Sequence, residues 1–516
     1  MVKIMTADEA VKTLIKSGDT VSFGGFVGAG HPEEITFAIE QEFISNGSPS
    51  DLTVMYAAGM GDGKERGLNH LGIEGLVSKI IGGHWGLVPK LQKLAVENKL
   101  AAYNLPQGVI TQMYRDIAAG KPGVITHVGL KTFVDPRLEG GMINDKAREA
   151  GSMVELINIG NQEKLFYKVI PIDVAIIRAT YADTHGNCTM EREGATIDGL
   201  SIVQAAKNSG GKVIVQVEQV VDFGSLDSRL VKIPGIYVDA VVVSKPENHM
   251  QTFGTYFNPA YSGETRIPID SIAPLPMDER KIIARRAAME LVSNAVVNLG
   301  LGVPEGIASI VAEENIQGMV LTAESGVIGG VPAGGMDFGV TVNAECVLDQ
   351  PYQFDFYDGG GLDVAFLGLA EMDAQGNINV SRFGTKLPGC GGFINISQNS
   401  KKVVYCGTFT AVGLKVAVAD GKLNILQEGR SKKLINKVGQ ITFSGEYAKE
   451  MGQQVFYITE RAVFKLSDKG VELIEIAPGI DLDKDVLQHM DFRPIIDNVK
   501  LMDTRIFTDE KMGLHF

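Results

Sequence analysis

The most regular feature of this chain is a succession of short apolar runs separated by helical or glycine-rich segments. Runs such as IDVAII, KVIVQV, DVAFLG and KVVYCG show little alternation between apolar and polar positions. Runs of this kind are typical of parallel strands that are buried on both faces of a sheet. Near the start, Thr6 and Glu9 predict a capping box, and Gly18 predicts the end of that helix. The pattern predicts an α/β fold with open, mainly parallel sheets.

Two of these strands begin segments whose amino-acid sequences are nearly the same. DVAIIRATYADTHGN (173–187) and DVAFLGLAEMDAQGN (363–377) match at a constant offset of 190 residues. The matched positions are Asp173 with Asp363, Val174 with Val364, Ala175 with Ala365, Asp183 with Asp373, Gly186 with Gly376 and Asn187 with Asn377. The two halves also begin alike, with VSFGGFVGAGHPE at 21–33 and VNLGLGVPE at 297–305. We therefore predict two tandem, duplicated α/β domains, with an active site where the copies meet.

The duplication sets the predicted domain boundaries. The first domain covers 1–246, a linker rich in Pro, Gly and aromatic residues covers 247–276, and the second domain covers 277–516. Between corresponding strands the first half has about 77 more residues than the second. This insertion contains YNLPQGV (103–109) and AAGKPGVITHVGLKTFVDP (118–136).

Composition and charge exclude several classes of protein. A net charge of −14 without any Lys/Arg run argues against a nucleic-acid binder. We see no signal peptide and no apolar run long enough to span a membrane, so a soluble, cytoplasmic protein is expected. The four cysteines and eight histidines lack metal spacing, so no metal site and reduced, buried thiols are expected. No GxGxxG fingerprint supports a nicotinamide dehydrogenase.

One reactive side chain is found in only one copy. Ala57 of AAG corresponds to Glu324 of AESG, so a carboxylate follows a predicted buried strand in the second half alone. Ligands of open α/β sheets bind beyond the carboxyl ends of strands, which makes Glu324 a functional candidate. The alternatives are a solvated loop glutamate or one that pairs with an arginine.

Two glycine turns are further candidates. Gly389, Gly391 and Gly392 surround Cys390 in a turn that can aim backbone N–H groups at a thioester oxygen or a phosphate. Gly24 and Gly25 are candidates for a similar substrate loop, or they let a strand pack closely against a helix.

With these motifs the chain resembles the family I coenzyme A transferases. The first half carries GGFVGAGHP (24–32), PQG (106–108) and PGIYVDAVV (234–242), and the second carries NLGLGVP (298–304), AESG (323–326) and GCGGF (389–393). The resemblance covers about residues 1–480, in the family's order, and implies its CoA-transferase/NagB-like fold. It is greatest to the fused-chain acetate or propionate CoA-transferases, because ketoacid transferases have SENG where this chain has AESG.

The resemblance implies roles for individual residues. Glu324 corresponds to the nucleophilic glutamate, Gln107 to a glutamine at the CoA thioester, and Gly389–Gly392 to a backbone site near that thioester. The alternative for Gln107 is a structural role, in which its side chain stabilises its own loop. The implied activity is reversible, ping-pong transfer of CoA between a short-chain acyl-CoA and a carboxylate such as acetate, propionate or lactate. A glutamyl-CoA thioester is the intermediate, coenzyme A is a substrate, and no cofactor is permanently bound. A homo-oligomer, either a dimer or a tetramer, is expected.

An ionised glutamate needs no general base to attack a thioester, and we expect Glu324 to be ionised at pH 7. Two other functions stay open from the residues. One is an acyl-CoA hydrolase that uses the same glutamate, and the other is a non-catalytic ligand-binding module on the same fold.

Overall fold

The computed structural model describes residues 2–268 and 275–515 and contains two compact units. The first unit comprises Met1–Arg266, Ala323–Asp355 and Gly384–Asn395, and the second comprises Ile267–Thr322, Phe356–Phe383 and Ile396–Phe516. Two segments from the second half of the sequence thus belong to the first unit. The boundaries predicted from the duplication stay a prediction, and residues 269–274 of the predicted linker lie outside the described residues.

The first unit is built around an eight-stranded sheet in which every neighbouring pair is parallel. In spatial order its strands are Lys3–Met5, Ala240–Val243, Lys212–Val217, Val174–Arg178, Thr20–Phe23, Leu52–Tyr56, Val77–Gly82 and Ala101–Asn104. The main helices of this unit are Ala7–Leu14, Glu33–Asn46, Pro89–Val96, Gln107–Ala118, Asp145–Ala150 and Gly199–Asn208. The predicted capping box is present, since Thr6 and Glu9 each bond the other's backbone N–H.

The insertion of the first half extends this sheet. It supplies the strands Val77–Gly82 and Ala101–Asn104, and the helix Gln107–Ala118 that follows them. The same stretch also supplies a separate three-stranded antiparallel sheet, in which Gly123–Thr126 and Val154–Ile159 both pair with Gln162–Lys168. The predicted active-site glutamine, Gln107, therefore begins a helix directly beyond the edge strand of the large sheet.

The second unit has its own sheet, parallel in one part and antiparallel in the other. In spatial order its strands are Val320–Thr322, Val296–Leu299, Val364–Gly368, Lys402–Cys406, Gln454–Ile458, Ala462–Ser467, Gly470–Ile476 and Lys500–Leu501. Its helices include Glu279–Ala288, Gly306–Glu314 and Gly445–Glu450, and the chain has two more helices at Gln350–Asp358 and Phe393–Asn399.

The residues that match between the two halves make the same contacts in each unit. Asp173 accepts a hydrogen bond of 2.8 Å from the N–H of Thr20, and Asp363 accepts one of 2.9 Å from the N–H of Val296. Each aspartate thus ties the start of one central strand to the start of its neighbour. This shared contact explains why the aspartate is found in both copies.

A second shared contact closes the turn after each strand. Oδ1 of Asp183 accepts from the N–H of Asn187 at 3.0 Å, and Oδ1 of Asp373 accepts from the N–H of Asn377 at 3.0 Å. The asparagine side chain then donates back to Oδ2 of its aspartate in both turns. The predicted duplicated α/β fold with mainly parallel sheets is therefore confirmed.

Candidate functional site

Glu324 lies in a tight turn of the first unit that its neighbours hold in place. The N–H of Ala323 donates to the carbonyl of Val327 at 2.8 Å, and the Ser325 hydroxyl donates to the carbonyl of Gly339 at 2.6 Å. Gly326 has φ of +107°, and a Cβ there would lie 2.0 Å from a carbonyl oxygen, so only glycine fits. These contacts fix the backbone position of Glu324.

The Glu324 side chain is half-buried, and its carboxylate has no partner among the described residues. No described residue donates a hydrogen bond to it or pairs with it, which rules out the arginine-paired alternative within the described chain. Burial raises the pKa of this carboxyl to about 7. Desolvation thus shifts this carboxyl toward its protonated form near pH 7, where an ionised carboxylate was expected from the sequence.

The glycine turn at 389–392 lies directly against this carboxylate. A Cβ on Gly392 would be 2.6 Å from Oε2 of Glu324, so the absence of a side chain makes room for the carboxylate. No described residue accepts a hydrogen bond from the Gly392 N–H. In contrast, the N–H of Gly391 donates to the carbonyl of Gly83 at 2.8 Å, so it is already occupied. Gly392 is thus the member of the turn with a free donor beside Glu324.

The turn is held by residues of the insertion. The carbonyl of Pro388 accepts from the N–H groups of Trp85 and Gly86 at 2.7 and 2.9 Å. Oδ1 of Asn104 accepts from the N–H of Cys390 at 3.0 Å. Gly389 and Gly391 have φ of +75° and +51°, which favours glycine at both positions. These contacts join a segment of the second half of the sequence to the first-half sheet within one compact unit.

Gln107 contacts the same turn. Its backbone N–H donates to the carbonyl of Gly391 at 2.9 Å, and its Oε1 is 3.6 Å from the Cβ position of Gly391. The side chain is buried, yet no described residue accepts from its Nε2. A buried amide donor without a partner costs free energy, which a ligand recovers when it accepts that hydrogen bond.

Gly24 and Gly25 follow the strand Thr20–Phe23 and support packing. The Cβ position of Gly24 is 3.2 Å from Ile177, and that of Gly25 is 2.6 Å from Sδ of Met60. Because neither residue has a side chain, the loop can approach these neighbours closely. This agrees with the alternative that the two glycines serve close packing. A contact of either glycine with substrate stays a prediction.

Sequence reasoning missed His84, which lies next to the same turn. Two glycines, at positions 59 and 86, make room for its ring, and no described residue forms a side-chain hydrogen bond with it. Burial lowers the pKa of His84 to about 4, so the imidazole is neutral. The sequence signal was a Gly-Gly-His that directly follows a buried strand.

Asp198 is a second missed residue. It is buried beside Gly24, and its Oδ1 has no hydrogen-bond partner in the described chain. Burial, and then the charge of Asp349, raise the pKa of Asp198 to about 8, so it is mostly protonated at pH 7.

Three further expectations from the sequence concern metal sites, membrane-spanning helices and the cysteines. Within the described ranges, no group of three or more His, Cys, Asp or Glu side chains is placed to hold a metal ion. No helix among the described residues has the length and apolar character to cross a membrane. Cys188, Cys390 and Cys406 are buried free thiols as expected, but Cys346 is exposed, because it lies in a short edge strand with Val347.

Comparison with known proteins identifies the class. The family described as Coenzyme A transferase matches residues 4–244. The chain is 50% identical to the caffeate CoA-transferase of Acetobacterium woodii, over 100% of this chain and 99% of that protein. The chain therefore belongs to the coenzyme A transferase family and is a CoA-transferase, as its motifs predicted.

A solved structure extends the likeness to the whole fold. The chain is 44% identical to the acetate CoA-transferase YdiF of Escherichia coli O157:H7, over 99% of this chain and 96% of YdiF. The crystal structure of the YdiF apoenzyme matches with a TM-score of 0.94 and covers 100% of this chain and 98% of that chain. A YdiF structure described as a thioester complex with CoA matches with a TM-score of 0.93 over the same shares of the two chains.

Proposed function

We propose that this CoA-transferase moves CoA reversibly between a short-chain acyl-CoA and a short-chain carboxylate, with Glu324 as the covalent nucleophile. The observation that carries the proposal is the half-buried, unpartnered Glu324 carboxylate, which lies against the Cα of Gly392 in the glycine turn. The relatives named for acetate and for caffeate act on different acids, and the YdiF thioester complex supports CoA as the shared substrate.

The first half-reaction forms a thioester on the enzyme. An ionised Glu324 oxygen attacks the thioester carbon, the C–S bond breaks, and CoA leaves as a thiolate from an acyl-glutamyl anhydride. The thiolate then attacks the glutamyl carbonyl, the anhydride C–O bond breaks, and the donor acid leaves as a carboxylate. Glutamyl-CoA remains, and the acceptor acid reverses these steps. No net proton, ATP or redox partner is consumed.

The donors beside Glu324 suit the charge that develops in each step. Both attacks place negative charge on a carbonyl oxygen, which needs hydrogen-bond donors that are already in position. No described residue accepts a hydrogen bond from the Gly392 N–H or from Gln107 Nε2. We assign them to the thioester and glutamyl carbonyl oxygens. Neither adds a positive charge that would hold the leaving carboxylate.

The activity should depend on pH through Glu324. Only the ionised carboxylate attacks, and burial places its pKa at about 7. We therefore expect kcat/KM for acyl-CoA to fall about tenfold for each pH unit below 7 and to level off above it. Measurement of kcat/KM between pH 5 and 8.5 checks this. A flat profile from pH 5 upward would show that Glu324 titrates at an ordinary carboxyl pKa.

Substitution of Gln107 tests its assignment as a donor. Gln107→Leu removes the amide at similar volume, and we expect kcat to fall about 10²-fold while KM for acyl-CoA changes little. The exposed Gln219 supplies the matched control, Gln219→Leu, which should leave kcat unchanged. An equal rise in KM with unchanged kcat would instead assign Gln107 to ground-state binding.

Kinetics separate transfer from the two alternatives. The family assignment excludes a non-catalytic module, and hydrolysis is tested by CoA release from acetyl-CoA with and without an acceptor acid. We expect parallel double-reciprocal lines and acceptor-dependent turnover, as ping-pong transfer requires. CoA release at the same rate without acceptor would establish hydrolysis. Cytoplasmic location and a homo-oligomer stay predictions.

A further inference from the structure

His84 lies beside the glycine turn of the Glu324 site but has no part in the mechanism proposed above. Its Cβ and Cδ2 are each 3.7 Å from the Cβ position of Gly391, and Oε1 of Gln107 is 3.6 Å from that same point. These are the nearest atoms, so the space in front of Gly391 would accept a methyl group without a clash. The imidazole and the Gln107 amide therefore border one small space in front of the turn.

The next residue of the turn connects this space to Glu324. The Cβ position of Gly392 is 2.6 Å from Oε2 of Glu324. Because consecutive Cα atoms are about 3.8 Å apart, the path through the two glycines places the His84 ring at most about 13 Å from the Glu324 carboxylate. Both side chains are half-buried rather than sealed in the core, so a substrate can reach both.

Glycines on two sides determine how the His84 ring is turned. A Cβ on Gly59 would lie 2.3 Å from Nδ1, and a Cβ on Gly86 would lie 2.9 Å from Cε1 and 3.2 Å from Nε2. Nδ1 is thus pressed against Gly59. Nε2 is bonded to Cδ2, the ring atom next to Gly391, so Nε2 is the nitrogen on the side of the turn.

The charge state of His84 suits a donor in a site that must exclude hydrolysis. Burial lowers its pKa to about 4, so the ring is neutral at physiological pH and can donate one N–H without adding a positive charge. A ring with so low a pKa is also a weak base. It therefore activates water poorly, whereas a histidine with an ordinary pKa could act as a general base for hydrolysis of the glutamyl thioester.

The CoA sulfur is the reacting atom for which the mechanism has no donor so far. The Gly392 N–H and Gln107 Nε2 are assigned to carbonyl oxygens, but negative charge also develops on the sulfur when the C–S bond breaks. We propose that His84 is a further catalytic residue, which donates a hydrogen bond from Nε2 to the CoA thiolate between its departure and its return. This inference rests on the proposed function.

The step leaves His84 unchanged at the end of each half-reaction. When the acyl C–S bond breaks, its electron pair stays on the sulfur, and the proton stays on Nε2 while the thiolate accepts the hydrogen bond. The sulfur then uses that pair to form the new C–S bond to the glutamyl carbon, and the donor acid leaves as a carboxylate. No proton is transferred, so the imidazole need not titrate in the working pH range.

The rate of the first half-reaction in His84 variants tests this role on the full-length enzyme. Enzyme is mixed with acetyl-CoA without acceptor and quenched at intervals, and the CoA adduct is quantified by intact-protein mass spectrometry. His84→Leu should form the adduct about 10- to 100-fold more slowly than wild type but to the same final extent. His84→Gln keeps a side-chain N–H and should stay within about fivefold of wild type, and KM for acetyl-CoA should change less than about threefold in both variants.

A matched control and a second variant keep this test decisive. His185 is exposed and stacks on Phe223, so His185→Leu should form the adduct at the wild-type rate. If His84→Leu does not fold, Gly86→Ala takes its place, because the new Cβ would crowd Cε1 and Nε2 of the ring. An adduct rate in His84→Leu equal to wild type, or a raised KM with an unchanged rate, would overturn the inference.

Titration of bound CoA examines the thiolate itself. In Glu324→Gln enzyme, the ultraviolet absorbance of the CoA thiolate is followed against pH, with desulfo-CoA as the blank. The bound thiol should ionise about one pH unit lower with His84 present than with His84→Leu in the same background. Identical titrations would overturn the inference. Absence of any adduct in active wild-type enzyme would instead refute the proposed function on which the inference rests.

Discussion

Replacing Glu324 with glutamine is expected to reduce CoA transfer by at least about 10⁴-fold. Glutamine keeps the size of the side chain but has no carboxylate to attack the thioester, and loss of a covalent nucleophile costs up to about 10⁶-fold in well-studied enzymes. The measurement is the initial rate of transfer from acetyl-CoA to a short acid. The exposed Glu345 supplies the matched control, since Glu345→Gln should keep full activity. Activity of Glu324→Gln within tenfold of wild type would remove Glu324 from the mechanism.

The same substitution should stabilise the protein at alkaline pH. The folded-state pKa of Glu324 is about 7, above the ordinary 4.5 of an unfolded chain, so ionisation of this buried carboxyl opposes folding. The cost is absent below pH 4.5, grows up to pH 7 and is complete above it. We expect Glu324→Gln to raise the free energy of unfolding by on the order of 2 kcal/mol at pH 8 and by nothing near pH 4.

Chemical denaturation at both pH values measures this difference. A stability gain that is equal at pH 4 and pH 8 would mean that Glu324 is not desolvated. This outcome is independent of catalysis, so it separates the environment of the carboxylate from its role.

Gly392→Ala is expected to lower kcat by about 10²-fold without unfolding the protein. The new Cβ would lie 2.6 Å from Oε2 and 2.9 Å from Cδ of Glu324, so the carboxylate must move. A displacement of about 1 Å from the reacting geometry costs about 10²-fold in rate. The measurement is kcat for transfer, with thermal unfolding as the check on folding.

The matched control for Gly392→Ala is Gly439→Ala. A Cβ on Gly439 meets nothing within 4 Å, so the same chemical change should leave kcat unaltered. If Gly392→Ala kept kcat within about threefold of wild type, the carboxylate would be free to work from another position.

The parts of the fold that could be predicted are those with local or repeated signals. Apolar runs gave the parallel strands, because both faces of such strands are buried and need no polar alternation. The repeated Asp173 and Asp363 marked equivalent strands, because each accepts a backbone N–H from the neighbouring strand. Equivalent positions of a duplicated fold are expected to carry equivalent residues. The mismatch between Ala57 and Glu324 therefore indicated that the Glu324 carboxylate has a role of its own.

The rest of the site depends on contacts between residues far apart in sequence. The hydrogen bond from the Gly391 N–H to the Gly83 carbonyl joins residues that no local pattern relates, and it removes one donor of the turn. His84 was missed because the space for its ring depends on Gly59, which lies in another segment of the chain. The pKa of Glu324 could not be read from the sequence, because it follows from desolvation in the folded chain.

The central claim is that Glu324 carries CoA as a covalent thioester. The most direct test incubates the enzyme with acetyl-CoA without acceptor, reduces it with borohydride and digests it for peptide mass spectrometry. Borohydride converts a glutamyl thioester to the alcohol, so the peptide that contains Glu324 should carry this change in the wild type, and the Glu324→Gln enzyme should show none. An unmodified Glu324 peptide from fully active enzyme, or the change at another carboxylate, would contradict the account.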